Sequence, residues 1–249
     1  MNLLLVEERA DRYEFAPEHP RYPSVDRLAG PEVCLGVAGG ERGVGRLEGE
    51  PGGVRRITGV RWERSPPPSP PPLDLVVGLP RPAEARRILF LAGEWGIRSL
   101  SFVVTDRTPA GYAGSRVLRP EPAGAVLREG MEQGFHTRLP RFALRAEGLA
   151  EVLAGAAADR PTTVLDPYLG TEALAAGPTR TPPGTLVFGG ERGFSPREQE
   201  WIRSAGVRLR HLGPVVLRSG TAVATALPLV LGAAGFLGSS AGARLGPLG

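Results

Sequence analysis

The chain has 249 residues, 30 Lys+Arg against 26 Asp+Glu for a net charge of +4, and 41% hydrophobic residues, enough for one large domain or two smaller ones. All the basic side chains apart from histidine are arginine, which excludes Schiff-base lysine chemistry and any lysine-dependent phosphate loop. One cysteine, Cys34, excludes a disulfide framework, a CxxC redox site and a thiolate zinc site, and His19, His136 and His211 are too scattered for a metal cluster.

The N-terminus carries a short apolar run, Leu3 to Val6, followed by acids, which is unlike a secretory signal. Three β-rich runs follow: Val33 to Val37, Val44 to Leu47 and Val54 to Trp62. Glycines at 39–40 and 49–53 separate them as turns, and the pattern predicts a small β-barrel over residues 1–64. Arg55, Arg56 and Arg61 lie along the last run, so one sheet face is basic, either a solvated surface or one that contacts RNA. Cys34 is expected to fill the barrel core. Residues 65–72 hold six prolines and predict a stiff polyproline spacer between the two lobes.

Residues 73–249 alternate strand and helix. Leu73 to Val77 reads as a buried strand, Pro82 to Trp95 as a helix stopped at Gly96, and Leu100 to Val104 as a second strand. Helices are predicted over 122–133 and 149–157, and strands over 162–165 and 186–188. Ser195-Pro196-Arg197-Glu198 combines a capping serine, proline at the first helical position and glutamate three residues on, so a helix starts there and ends at Gly206. Val207 to His211 is the next strand. From Ser219 to Ala243 no residue is charged, yet Pro228 and scattered Gly, Ser and Thr favour a buried core helix over a membrane span. The alternation predicts an α/β domain with a mostly parallel sheet and helices on both faces.

Two glycine-bearing loops follow strands near the C-terminus. The first runs Phe188-Gly189-Gly190-Glu191-Arg192-Gly193-Phe194-Ser195, and the second runs from Leu212-Gly213-Pro214 through Val216, Leu217 and Arg218 to Ala222. Glycines let backbone N–H groups approach a ligand at the carboxyl ends of parallel strands, although the spacing is not that of a dinucleotide site. Alone, the first loop reads equally as a ligand cradle or as a tight connection.

Together the loops resemble the SPOUT methyltransferases, and within them the ribosomal RNA small subunit methyltransferase E family. That family's first motif reads G-P-E-G-G-F-S-x-x-E, and residues 189–198 follow it with Gly190 and Arg192 in place of proline and a glycine. Its second motif, L-G-x-x-I-L-R-x-E-T-A, is matched by residues 212–222, with Gly220 in place of glutamate. Glu94-Trp95-Gly96-Ile97 and Thr105-Asp106-Arg107-Thr108 resemble the family's E-L-G-V and S-E-R-S, and Glu132-Gln133 with Arg138-Leu139-Pro140 resemble, at looser spacing, its E-Q-S-x-R-x-x-L-P.

The resemblance implies a C-terminal trefoil-knotted domain that binds S-adenosylmethionine, an N-terminal PUA-like β-barrel that grips RNA, and a cytoplasmic homodimer without metal. The implied reaction is methylation of N3 of a uracil (position 1498) in 16S rRNA of the small ribosomal subunit. Leu165, Phe188, Gly189, Gly190, Glu191, Gly193, Leu212, Gly213, Val216, Leu217, Ser219, Thr221 and Ala222 would line the cofactor pocket. Glu191 either accepts from the cofactor or orders its loop. Arg107 and Arg218 are the candidate catalytic residues, holding RNA phosphate or the charge that develops on uracil. Arg9, Arg12, Arg55, Arg56, Arg61 and Arg138 are the candidate RNA contacts, since arginine suits phosphate forks and stacking on unpaired bases. Two rival readings keep the fold: a SPOUT enzyme for another rRNA or tRNA nucleotide, and a non-catalytic RNA-binding protein of ribosome assembly.

Overall fold

The computed structural model describes residues 3–28, 30–63, 72–135, 137–174 and 184–238. The proline-rich stretch 64–71 and His136 lie outside these residues, as do 175–183 and everything after 238.

The first lobe is built from β1 (Leu4–Val6), β2 (Tyr13–Phe15), a single helical turn α1 (Tyr22–Val25), β3 (Glu32–Val37), β4 (Arg42–Glu48) and β5 (Arg55–Trp62). The sheet order is β1-β3-β4-β5-β2, with β1 parallel to β3 and the other pairs antiparallel. β1 and β2 are its two ends and do not pair with each other, so the expected barrel is an open sheet around one core. That core draws Leu4, Phe15, Val25, Leu35 and Ile57 from successive elements.

The expected basic face is corrected by a bulge. In a regular strand Arg55 and Arg61 share a face. The register shifts between Val44 and Arg46, and Gly59 takes a φ of 59° opposite the irregularity. Arg61 is thereby turned to solvent, whereas Arg55 stays inside at 5% exposure with a guanidinium N–H on the Leu28 carbonyl.

The second lobe contains β6 (Asp74–Gly78), α2 (Pro82–Glu94), β7 (Ser99–Val103), α3 (Pro120–Gly134), β8 (Arg141–Arg145) and α4 (Leu149–Asp159). It continues with β9 (Thr162–Leu165), β10 (Glu172–Ala173), β11 (Thr185–Phe188), α5 (Pro196–Ser204), β12 (Arg208–His211) and α6 (Ser219–Ala233). The sheet order is β10-β12-β9-β11-β6-β7-β8, and every neighbouring pair is parallel.

Strand periodicity divides the side chains between two layers. Leu75, Val77, Leu100, Phe102, Leu186 and Phe188 face α2, α3 and α6. Val76, Val103, Val164 and Val187 face α4 and α5, where Leu149, Leu153 and Ile202 cover them. The apolar C-terminal helix is thus a core element, and among the described residues no helix is long and apolar enough to cross a membrane.

The lobes meet on α3. Leu3 and Leu5 pack against Met131, and half-buried Cys34 joins this contact rather than the core of the first lobe, because it faces away from Val33 and Leu35. The buried Glu132 carboxylate accepts the Leu5 N–H at 2.9 Å and pairs with Arg21, while its carbonyl accepts the Leu3 N–H at 3.1 Å. Glu132→Ala leaves a buried N–H and a part-buried guanidinium without their acceptor. We expect a loss of about 2 kcal/mol in urea unfolding.

Candidate functional site

Parallel pairing brings the carboxyl ends of all seven strands to one end of the sheet. Phe188 stands level with Val77 and Leu165, and Arg210 stands level with Leu165 on its other side. β11 and β12 therefore flank β9, and their loops leave the sheet about 10 Å apart, two interstrand spacings. The two glycine loops of the sequence are brought together in this way.

The first loop is held from beneath and from behind. Gly189 and Gly190 lie directly on Gly78 at the end of β6, so close that a Cβ on Gly78 would fall 2.5 Å from the Gly190 nitrogen. Gly193 has a φ of 63° and its N–H closes a turn onto the Gly190 carbonyl at 2.9 Å. Phe194 is buried and anchors the exit of the loop. The capping box is as expected: the Ser195 hydroxyl accepts the Glu198 N–H, and the Glu198 carboxylate accepts the Ser195 N–H.

The segment after β7 docks onto this cap. The Asp106 carboxylate accepts the Ser195 hydroxyl at 2.6 Å and an Arg197 N–H at 2.7 Å, and the Asp106 N–H returns to Glu198. The hydrogen bond from Arg197, followed by that from Ser195, holds the Asp106 carboxyl below its ordinary value of 3.8. The stabilisation is complete above that value and is lost as the pH falls through the lowered one. Asp106→Asn should therefore lower the urea midpoint at pH 7, and the gap from the wild type should close in acid, below the ordinary value.

Arg107 follows directly. Its guanidinium donates to the Arg192 carbonyl at 2.8 Å, which fixes it over the first loop. Together with Thr105, Thr108, Tyr112 and Glu191 it lines a cleft against Gly190 and Gly193. Glu191 does not stand free in this cleft but pairs with Arg81 at 3.2 Å, which ties the loop to the start of α2.

The second loop is open. The His211 Nδ1 accepts the Gly213 N–H at 3.1 Å, which turns the chain at Gly213, where φ is 106°. Val215 and Val216 then stand out at 55% and 69% exposure. The N–H groups of Val215, Val216 and Leu217 make no hydrogen bond to another described residue. Arg218 is exposed at the N-cap of α6 without a side-chain cap bond, Ser219 is buried, the Thr221 carbonyl accepts from Thr225, and Ala222 packs on the core. Leu165 and Phe188 are buried and offer the site only their backbone, while Leu212 is half-buried.

Of the arginines expected to contact RNA, Arg55 is removed by its burial. Arg9 pairs with Glu41 and lies over the Trp62 ring, and Arg56 pairs with Glu14. Arg12, Arg61 and Arg138 are exposed. Sequence reasoning missed Asp106, Arg197 and Arg81. Asp106 lay inside the quoted 105–108 segment, but its partner is Ser195, 89 residues away. Among the described residues no group of three His, Cys, Asp or Glu is placed to hold a metal ion.

Comparison with known proteins agrees with this architecture. The RNA methyltransferase domain family matches residues 67–231. The ribosomal RNA small subunit methyltransferase E of Mycobacterium bovis is 32% identical over 202 residues, which is 76% of this chain and 75% of that protein. Its namesake from Treponema pallidum is 29% identical over 167 residues, and there the match spans 62% of the relative's length. Among solved structures, the methyltransferase E of Neisseria gonorrhoeae bound to S-adenosyl methionine superposes with a TM-score of 0.71 at 18% identity, covering 93% of this chain and 97% of that one. A Legionella pneumophila methyltransferase gives 0.69 at 18% identity, with the same coverage. The domain match over more than half of the chain, and the identity shared across three quarters of the mycobacterial relative, decide the matter: the chain belongs to the ribosomal RNA small subunit methyltransferase E family of RNA methyltransferases.

Proposed function

We propose that the chain transfers a methyl group from S-adenosylmethionine to N3 of a uracil in the 16S rRNA of the small ribosomal subunit, at the position that the family resemblance names. The observation that carries this reading is the pair of glycine loops flanking β9, beside a cleft lined by Arg107.

The residues present fit the cofactor. The open N–H groups at 215–217 can meet the edge of an adenine ring, and exposed Val215 and Val216 offer apolar cover for its face. The close contact of Gly78 with Gly190 leaves the first loop as bare backbone where a ligand can come near. When bound, the cofactor supplies an electrophilic methyl carbon whose bond to sulfur breaks as the bond to N3 forms.

The chain's own part is to hold the uracil in line, to exclude water and to favour loss of the N3 proton. Correct placement supplies roughly 7–11 kcal/mol in favourable cases. Arg107 already has one N–H on the Arg192 carbonyl and keeps the rest of its planar fork for a phosphate or the uracil anion. Arg218 stands exposed at the other loop for the same purpose. Arg12, Arg61 and Arg138 extend the RNA surface onto the first lobe and the junction between the lobes. We infer further that 1–64 acts as a PUA-like RNA-gripping domain, that 65–72 links it to the SPOUT domain 73–249, that the latter carries the family's knot, and that the enzyme works as a cytoplasmic homodimer.

The test is transfer of labelled methyl from S-adenosylmethionine to small subunits that lack the modification, with nucleoside mass spectrometry of the product. The expected result is 3-methyluridine in 16S rRNA. Another methylated nucleoside would support the rival substrate, and no transfer by a folded protein that binds RNA would support the non-catalytic reading.

A further inference from the structure

A helix beginning a ligand loop has several N–H groups without intrahelical partners, and an acidic residue in its first turn is the usual complement. α6 has no acidic residue in its first turn. In the motif that its N-terminus resembles, position 220 is glutamate; here it is glycine.

The carboxylate comes instead from another helix. Glu84, in the first turn of α2, has a side chain only 9% exposed, and its Oε2 accepts the Gly220 N–H at 3.1 Å. The same oxygen lies 2.5 Å from where a Cβ on residue 220 would be, and the Arg87 Cδ lies 3.1 Å from that point. Any side chain at 220 would displace Glu84, so the glycine and the buried acid are two halves of one arrangement. Arg81 completes it. Its guanidinium reaches the Glu84 Oε1 at 3.4 Å and the Glu191 Oε1 at 3.2 Å.

We propose that Glu84 and Arg81 are positioning residues of the methyl-donor pocket. One turn of α2 clips the start of α6 through Glu84 and the first glycine loop through Arg81, so it sets the spacing of the two loops around β9. Neither residue touches the reacting atoms. This inference rests on the cofactor site proposed above.

Calorimetric titration of the full chain with S-adenosylmethionine tests it, alongside hydrogen exchange at the Gly220 amide in the free protein. Glu84→Ala should weaken cofactor binding roughly tenfold, the loss of one charge-assisted hydrogen bond, and Glu84→Gln should keep most of the affinity. RNA affinity in filter binding should stay unchanged, which a general loss of structure would not allow. Gly220→Glu alone should bind at least as poorly, because its side chain meets the Glu84 carboxylate. The double variant Glu84→Ala/Gly220→Glu should stay at least as weak as Glu84→Ala, since no carboxylate of α2 then meets the start of α6. Arg81→Ala, at an exposed position, should weaken the cofactor without affecting folding. The clip is overturned if Glu84→Ala binds as the wild type does, or if the double variant does. Should the wild type itself bind no S-adenosylmethionine, the cofactor reading fails, and exchange still decides the clip. Slow exchange at Gly220 that becomes fast in Glu84→Ala upholds it, and equal rates overturn it.

Discussion

Gly130→Val is expected to lower the unfolding midpoint by about 6–12 °C, corresponding to a loss of about 3 kcal/mol. α2 and α3 touch backbone to backbone. A Cβ at Gly130 would lie 2.1 Å from the Phe90 carbonyl and 2.8 Å from the Glu94 nitrogen, one at Gly93 2.2 Å from the Leu127 carbonyl, and one at Gly134 2.0 Å from the Glu94 carbonyl. None of these obstacles is a flexible side chain. A β-branched residue at 130 therefore forces the helices apart and opens the layer formed by Ile88, Leu89, Leu127 and Phe102. Gly124 gives the control. It lies on the same helix with nothing near its missing Cβ, so Gly124→Ala should raise stability by up to about 1 kcal/mol through helix propensity alone. Thermal denaturation of both variants checks the pair; a Gly130 variant as stable as the wild type would contradict the close packing.

Gly78→Ala is expected to reduce affinity for S-adenosylmethionine roughly a hundredfold, a loss of about 2.8 kcal/mol, while leaving a folded protein. The added methyl falls 2.5 Å from the Gly190 nitrogen and 3.1 Å from the Gly189 carbonyl carbon, so the first loop must lift from the end of β6. Gly78 has an ordinary negative φ and ends its strand, so the substitution acts through this contact and not through backbone strain. Isothermal titration measures the effect. Unchanged affinity would remove the 189–193 loop from the pocket.

Much of the second lobe is legible in the sequence because the central strands β6 and β11 are short apolar runs and α2 and α3 carry apolar residues at helical spacing. Leu73 to Val77 and the capping box at Ser195 fall within a residue or two of β6 and α5. β8 was not legible: Arg141–Arg145 forms the far edge of the sheet with arginine at both ends, so it lacks a buried strand's composition. β1 and β2 are three residues each, too short for any period to show. The α2–α3 glycines, poor helix formers by propensity, are in the fold the reason that the helices can meet.

In the site, the two glycine loops could be found by motif, and their convergence follows from parallel pairing around β9. The side chains that hold them could not. Asp106 to Ser195 and Glu84 to Gly220 are contacts across 89 and 136 residues, and no local spacing encodes either. Arg55 failed as an RNA contact because it lies on the same side of β5 as buried Ile57, with its guanidinium on the Leu28 carbonyl.

The most direct test of the central claim is a crystal structure of the protein with S-adenosylmethionine. The account predicts density between the loops at 188–194 and 212–218, with the adenine against the backbone of Val215 to Leu217 and the methyl directed toward the cleft beneath Arg107. Cofactor bound elsewhere, for example in the groove between α4 and the start of β6 that Asp74 and Arg160 line, would contradict it.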